Sequence, residues 1–212
     1  AERIYVKYSA IVTKNVKYNS ESNYNTAILK VDRLSTEDTV RAYTYGLTVV
    51  KVDGNSVNDE EDMTYLSGAE FNLFKEKYIY IGGEFAGAFD EGAGINYIKD
   101  GVTEPNADFI EACKADPKQY YVYEYEAETS GSIVVDQKKV QYEKDAAIVR
   151  IYELVTNGVG FSDDNGTITS VASQEGVTIG GLDSGSYILV ETRAPSGYNA
   201  LADDIYFEIN RM

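Results

Sequence analysis

The sequence predicts a mainly β protein built as an antiparallel sandwich, and two observations carry that prediction. The chain of 212 residues contains 19 Tyr and 18 Gly but only 3 Pro, which favours pleated strands joined by glycine turns over a helix bundle. In addition, short β-rich runs alternate with turns rich in Gly, Asp and Asn, as they do in antiparallel sandwiches.

The first forty residues predict two strands that need a partner. Arg3–Val12 and Tyr24–Val31 are β-rich runs separated by a polar loop. Because a single hairpin cannot bury a core, we expect this piece to pair with the rest of the chain or to end a preceding domain. The polar stretch Leu34–Thr39 then predicts a connector.

The next region predicts the start of the main domain and a long insertion. Val40–Asp53 is a long strand signal that Gly46 interrupts, and Ala69–Phe74 is a shorter apolar strand. Residues from about 75 to 147 keep no clean period, so we expect an insertion there. Within it, Asn106–Lys114 predicts a short helix.

Five further runs complete the expected sandwich, and the second of them is ambiguous between strand and helix. They are Tyr120–Ala127, Ala147–Val155, Gly176–Ile179, Ser186–Glu191 and Ile205–Ile209.

Composition excludes several classes of function. The chain has no His and one Cys, so it has no Ser-His or Cys-His triad and no cysteine metal cluster. A net charge of -16 repels nucleic acid and anionic lipid, so neither nucleic acid nor membrane is an expected partner. We expect no enzyme activity, no metal and no cofactor.

Three stretches in order carry a family resemblance: TYGLTVVKVDG, LSGAEFNLF and GLDSGSYILVETRAPSGYNAL, the last ending at Leu201. Together they resemble the CnaB-type domain of Gram-positive sortase-assembled pilins and surface proteins, an immunoglobulin-like β-sandwich. YILVETRAPSGY matches the E-box pattern of that family, Y-x-L-x-E-T-x-A-P-x-G-Y, at every fixed position. The resemblance implies a CnaB-type domain over residues 40–212, with the insertion at about 75–147 and without its last strand. Residues 1–39 are similar to the final strands of a CnaA-type domain.

The resemblance also implies a chemistry. In such domains a Lys on the first strand forms an intramolecular isopeptide bond with an Asn or Asp on the last strand, and the E-box Glu promotes the reaction. These roles fall on Lys51 as donor and Glu191 as promoter. Burial disfavours both charges, so a neutral amine can attack a carbonyl that the protonated Glu polarises. Apolar residues lie on both faces of each strand, so periodicity alone does not show that either side chain points inward.

The acceptor is left open by the sequence. Asn210 follows the last predicted strand, whereas the family's acceptor usually lies one strand further on, which places it past Met212 or on another segment. For the preceding domain, Asn25 matches the accepting Asn of CnaA-type domains, and an Asn in a turn is an equally good interpretation.

Two functions agree with these observations. The first is a structural subunit of the pilus shaft, exported, linked to other pilin subunits by a sortase and anchored to the cell wall. The second is an accessory pilin or adhesin that binds a host surface ligand through the insertion, since long excursions from a rigid scaffold often carry binding sites.

Overall fold

A computed structural model describes residues 15–18, 22–31, 34–56, 63–81, 84–85, 107–135 and 138–210. In these residues the protein is mainly β, as the sequence predicts. The strands are β1 (Ser22–Val31), β2 (Leu34–Tyr43), β3 (Tyr45–Val49), β4 (Glu70–Ile81), β5 (Glu84–Phe85), β6 (Tyr120–Glu126), β7 (Gly131–Val135), β8 (Lys138–Tyr142), β9 (Ala147–Leu154), β10 (Thr167–Thr169), β11 (Val177–Leu182), β12 (Gly185–Arg193) and β13 (Ile205–Ile209), with one helix, α1 (Ala107–Ala115).

One large sheet organises the molecule around β4. Its strand order is β13-β12-β4-β9-β6, and β10 and β5 also pair with β4. The pairing is antiparallel throughout. The first half of β4 pairs with β12 and the second half with β9, so the twelve residues of β4 connect the two ends of the sheet.

A second, two-stranded sheet of β3 and β11 completes the sandwich. Its inward side chains Val49, Ile179 and Leu182 belong to the same buried cluster as side chains from β4 and β12. The latter are Phe71, Leu73, Tyr187 and Leu189. Because alternate residues of a strand face opposite sides, neighbours such as Phe74 and Ile188 belong to a separate cluster on the other face of the large sheet.

Helix α1 covers a third apolar surface, at the β6 end of the sheet. Ile110 and Cys113 are buried in one cluster with Tyr78, Tyr80 and Ile151. Lys114 lies 2.8 Å from a carboxylate oxygen of Glu124 on β6. The predicted helix is therefore confirmed within a residue at its C-terminal end, and its role is to cover the sheet.

Two expectations about the elements are corrected. The stretch 34–39, predicted as a polar connector, is the first part of β2 and pairs with β1 along its whole length. The described part of the region 75–147 is also more regular than its sequence indicates, since β4 continues to Ile81 and β7 pairs with β8. In β4 the pairing with β9 shifts register between Glu76 and Tyr78, and Glu76 is a buried charged residue, so the strand does not keep a simple alternation.

One predicted strand lies outside the described residues, and membrane-spanning helices can be assessed only within them. The predicted strand Arg3–Val12 lies outside them. Within the described part of the chain, no helix is long and apolar enough to cross a membrane.

Candidate functional site

Lys51 lies just past the end of β3, where backbone pairing fixes the chain. Its carbonyl accepts a hydrogen bond from the Leu66 amide at 2.8 Å, and Val52 forms an isolated bridge with Tyr65. The residue is 9% exposed. A lysine this buried is unusual unless it has a partner.

Glu191 lies on β12 opposite Phe71 of β4, beside an irregularity in the strand pairing before Arg193. Its side chain is 1% exposed. The Leu201 backbone amide donates a hydrogen bond of 2.6 Å to Oε2. The carboxylate is thus also held by the segment that leads into β13.

The two side chains meet inside the sandwich. Nζ of Lys51 lies 2.9 Å from Oε1 of Glu191 and donates a hydrogen bond to Oε2 at 3.2 Å. The structure therefore brings together the two residues on which the predicted chemistry depends. Because both are removed from water, each charge is costly without the other, and a proton transfer between them would leave a neutral amine beside a neutral acid.

An apolar groove of about 460 Å³ runs beside the pair. Six consecutive residues, 47–52, border it on one side, and Ile205 and Phe207 of β13 border it on the other. Since successive side chains alternate between faces, a continuous lining means that the edge of β3 faces the groove. In the described residues β3 pairs only with β11, and β13 only with β12.

The E-box turn connects Glu191 to the Lys51 segment. Pro195 is buried, and its carbonyl accepts a hydrogen bond from the Tyr198 amide. Gly197 has a φ of 87°, a left-handed conformation that glycine adopts without steric cost. The Tyr198 hydroxyl donates to Asp53 at 3.3 Å, which links the turn to the residues that follow Lys51.

The Tyr at the start of the E-box, Tyr187, is a core residue. It is 1% exposed and stacks on Phe207 with ring centroids 5.5 Å apart. Its hydroxyl donates to the carbonyl of Asp183, and burial raises the pKa of this phenol. The tyrosine therefore fixes β12 against β13 and takes no part in the contact between Lys51 and Glu191.

Neither candidate acceptor lies next to this pair. Asn210 is exposed and follows Ile209, which pairs with Gly185 at the start of β12. Glu191 lies six residues further along β12, which is roughly 20 Å in an extended strand. Asn25 lies in β1, paired with Val40, in the separate hairpin sheet.

Sequence reasoning missed two contacts of this site. The Leu201 amide that binds Glu191 is a backbone group, so no residue type marks it. The bond between Tyr198 and Asp53 joins residues 145 positions apart. Tyr198 is a fixed position of the E-box, and that is the signal from which a structural role could have been inferred.

Fold and site together define a β-sandwich with a buried Lys-Glu pair, and the match to a protein-family model agrees with the fold. Residues 146–212 match the family model described as SpaA, a prealbumin-like fold domain. The matched part contains β9 to β13 and Glu191, and over these residues the match agrees with the predicted β-sandwich fold.

One solved structure similar to this chain is the pilus backbone protein RrgB of Streptococcus pneumoniae. The identity is 18% and the TM-score 0.32, over 91% of this chain. The chain spans 43% of the length of that protein. No curated protein matches the chain.

Proposed function

We propose that this protein is a structural pilin subunit whose C-terminal domain is stabilised by an intramolecular isopeptide bond from Lys51. The observation that carries the proposal is the contact of 2.9 Å between the buried Lys51 amine and the buried Glu191 carboxylate. The match of residues 146–212 to a prealbumin-like SpaA domain supports the pilin class. A pilus shaft bears tension, and a covalent bond between strands keeps them from separating under load.

The proposed reaction uses only these two side chains and an Asn or Asp. Lys51 passes a proton to Glu191, and the neutral amine attacks the side-chain carbonyl carbon of the acceptor. The protonated Glu191 polarises that carbonyl and stabilises the tetrahedral intermediate. The attack forms the new C–N bond. When the intermediate collapses, the C–N bond of an Asn or the C–O bond of an Asp breaks, and ammonia or water leaves with protons that Glu191 relays from the Lys51 amine. The reaction occurs once per molecule, so the protein is not an enzyme.

The groove beside β3 is the place where we propose that the acceptor lies. A further strand lying along residues 47–52 would fill the apolar space and bring one of its side chains to Lys51. Val50, Leu201 and Ile205 around the groove are 39%, 42% and 45% exposed, so such a strand would also remove apolar surface from water. An Asn or Asp on that strand is our proposed acceptor in preference to Asn210, which lies at the far end of β12.

The remaining parts of the proposal follow from the proposed class of sortase-assembled pilins. The subunit would be extracellular, linked to other pilin subunits by a sortase and anchored to the cell wall. Residues 1–39 would belong to a preceding CnaA-type domain in which Asn25 is the acceptor, and residues 40–212 to the CnaB-type domain. The division between residues 39 and 40 falls within β2.

Intact-mass spectrometry of the mature protein tests the cross-link. We expect a mass about 17 Da below the sum of the residues for each bond to an Asn, because ammonia is lost when the amide forms. Lys51→Arg and Glu191→Ala should each lack the decrease in mass that this bond causes, when the measured mass is compared with the mass calculated for that variant. Lys77→Arg, a change on β4 away from the groove, is the matched control and should leave the mass low.

Peptide mapping of the same samples locates the acceptor. A digest of the native protein should contain one branched peptide that joins Lys51 to an Asn or Asp. A branched peptide that joins Lys51 to Asn210 would show that the acceptor does not lie on a strand beside β3. The assignment of Lys51 as donor would still stand. An unshifted mass in a mature protein that contains the complete domain would reject the isopeptide bond.

A further inference from the structure

A second groove lies on the face of the large sheet that points away from the sandwich core. Its volume is about 840 Å³, within the range of small-ligand sites. Phe74, Leu154 and Val190 form an apolar floor from three adjacent strands. Uncharged amide and hydroxyl side chains surround this floor: Asn72, Gln119, Thr156, Asn165, Thr167 and Thr192.

A platform of three tyrosines, Tyr121, Tyr123 and Tyr206, adjoins this groove through Tyr121. Tyr121 lines the groove itself. Its hydroxyl donates to Asp204 at 2.7 Å and lies 3.0 Å from the Tyr206 hydroxyl. The rings of Tyr123 and Tyr206 have centroids 5.9 Å apart and are 41% and 50% exposed. These two rings add exposed aromatic surface next to Tyr121.

The sides of the groove are preorganised. On one side, Oδ1 of Asp163 accepts hydrogen bonds of 3.0 Å from the amides of Asn165 and Thr167, and these bonds lower the pKa of Asp163. On the other side, the Gln119 carbonyl accepts a bond from the Leu154 amide at 2.8 Å. Fixed walls reduce the entropy that binding costs.

We propose that this groove and its tyrosine platform bind a neutral oligosaccharide. A sugar ring presents C–H groups on its faces, which pack on the electron-rich faces of tyrosine rings. It presents hydroxyl groups at its edge, and amide and hydroxyl side chains can both donate to and accept from these groups. The surrounding groove thus matches both parts of such a ligand.

Charge favours a neutral sugar over an anionic one. The groove is bordered by two carboxylates, Asp116 and Asp164, and one amine, Lys118, and the whole chain carries a net charge of -16. An anionic glycan would be repelled. A peptide fits less well, because the groove lies on a sheet face, whereas an extended peptide gains its main-chain bonds at a strand edge.

This inference does not rest on the isopeptide bond, since the groove is lined by none of the residues around Lys51. It gives a chemical class to the ligand of the adhesin alternative. Tyr121 and Tyr123 come from the region 75–147, but Asp204 and Tyr206 come from the C-terminal segment. The proposed site therefore joins the two parts of the domain.

The experiment measures binding of defined oligosaccharides to the full chain by calorimetry and by ligand-observed saturation-transfer NMR. The probes are three neutral tetrasaccharides (cellotetraose, maltotetraose and lacto-N-tetraose), sialyllactose as an anionic probe and a pool of unstructured decapeptides. We expect at least one neutral tetrasaccharide to bind. Tyr123→Ala and Tyr206→Ala should each raise its Kd by about tenfold or more, because tyrosine rings commonly carry a large share of the binding energy at such a surface. Tyr24→Ala, which removes another exposed tyrosine on β1, should leave the Kd unchanged.

Two more variants keep the test decisive if an alanine substitution disturbs the fold, which circular dichroism would reveal. Tyr206→Phe keeps the ring and should bind within about threefold of the native chain, while Asn165→Ala should weaken binding and leave the sheet intact. The proposal is overturned if no neutral tetrasaccharide binds, if both ring deletions leave the Kd unchanged, or if sialyllactose or the peptides bind more tightly.

Discussion

Two glycines show how single residues fix the turns around the candidate site. Gly197 in the E-box and Gly160 before β10 have φ angles of 87° and 92°. A Cβ built on Gly197 meets nothing within 4 Å, whereas one on Gly160 would lie 2.1 Å from the Thr178 carbonyl oxygen. The first glycine is required by backbone conformation alone, and the second also by the close approach of β11.

This difference predicts unequal costs for the same substitution. Gly197→Ala should lower the free energy of unfolding by about 1–2 kcal/mol, the cost of a left-handed residue with a Cβ. Gly160→Ala should cost about 2–5 kcal/mol, because the steric clash with backbone adds to that strain. Urea unfolding followed by circular dichroism measures both. Equal losses would contradict the role given to the contact with Thr178.

For single residues, the sequence predicts which residues belong to the site better than it predicts the contacts that they form. Glu191 is predicted from the E-box, which fixes residue types at fixed spacing, and Lys51 from the first-strand stretch that precedes it in the resemblance. The hydrogen bond from Leu201 to Glu191 could not be found in this way, since it comes from a backbone amide. Likewise, both faces of β3 carry apolar residues, and only the packing of its sheet against the large sheet shows which face is inside.

Among the elements, β4 and β9 hold a second buried ion pair. Arg150 on β9 lies 2.6 Å from a carboxylate oxygen of Glu76 on β4, and Glu76 is 6% exposed. Burial raises the pKa of Glu76, although the Arg150 guanidinium and a hydrogen bond with Tyr152 lower it, and the charge of Glu208 on β13 raises it further. Tyr125 on β6 faces Arg150 from the neighbouring strand.

The raised pKa of Glu76 predicts a pH dependence with a definite sign. Since the carboxyl is more basic in the folded state, its contribution to stability is complete below its unfolded pKa, about 4.3. That contribution is lost as the pH rises through the folded value. The unfolding free energy of the native chain relative to Glu76→Gln should therefore fall between pH 4 and pH 8.

Denaturant unfolding across this pH range tests the linkage, with Glu128→Gln as the control because Glu128 is exposed. The difference between the native chain and the control should be flat with pH. Glu76→Gln will also leave Arg150 without its partner, a cost that is constant over the range because an arginine keeps its charge. A flat difference for Glu76→Gln as well would show that burial does not raise this pKa.

Strand existence was predictable where apolar runs end at glycine turns, and less so where strands are half exposed. The bounds of β13 agree with the predicted run at both ends, and those of β6 differ at one residue. By contrast, the stretch 34–39 is polar, and its strand exists because β1 offers a partner along its length. Pairing between strands therefore supplied what local composition could not predict.

On the scale of the whole molecule, the proposed cross-link would act by restricting the unfolded chain. For a covalent bridge that closes a loop of 100 residues, the chain-entropy model gives about 4.7 kcal/mol. In a domain of 150–250 residues, each kcal/mol shifts Tm by about 2–4 °C. We therefore expect the cross-linked protein to melt roughly 10–20 °C above a form without the bond.

Lys51→Ala alone does not isolate this effect, because it also removes the buried contact with Glu191. The informative variant replaces the acceptor, once peptide mapping has identified it, by Ala. That protein keeps the pair of Lys51 and Glu191 and lacks only the covalent bond. Differential scanning calorimetry should show that the acceptor variant melts below the native protein by the whole expected difference. Lys51→Ala should melt at a still lower temperature, because it leaves a buried charge on Glu191 without its partner. If the acceptor variant melts at the same temperature as the native protein while its mass confirms that the bond is gone, the bond forms but does not stabilise the fold.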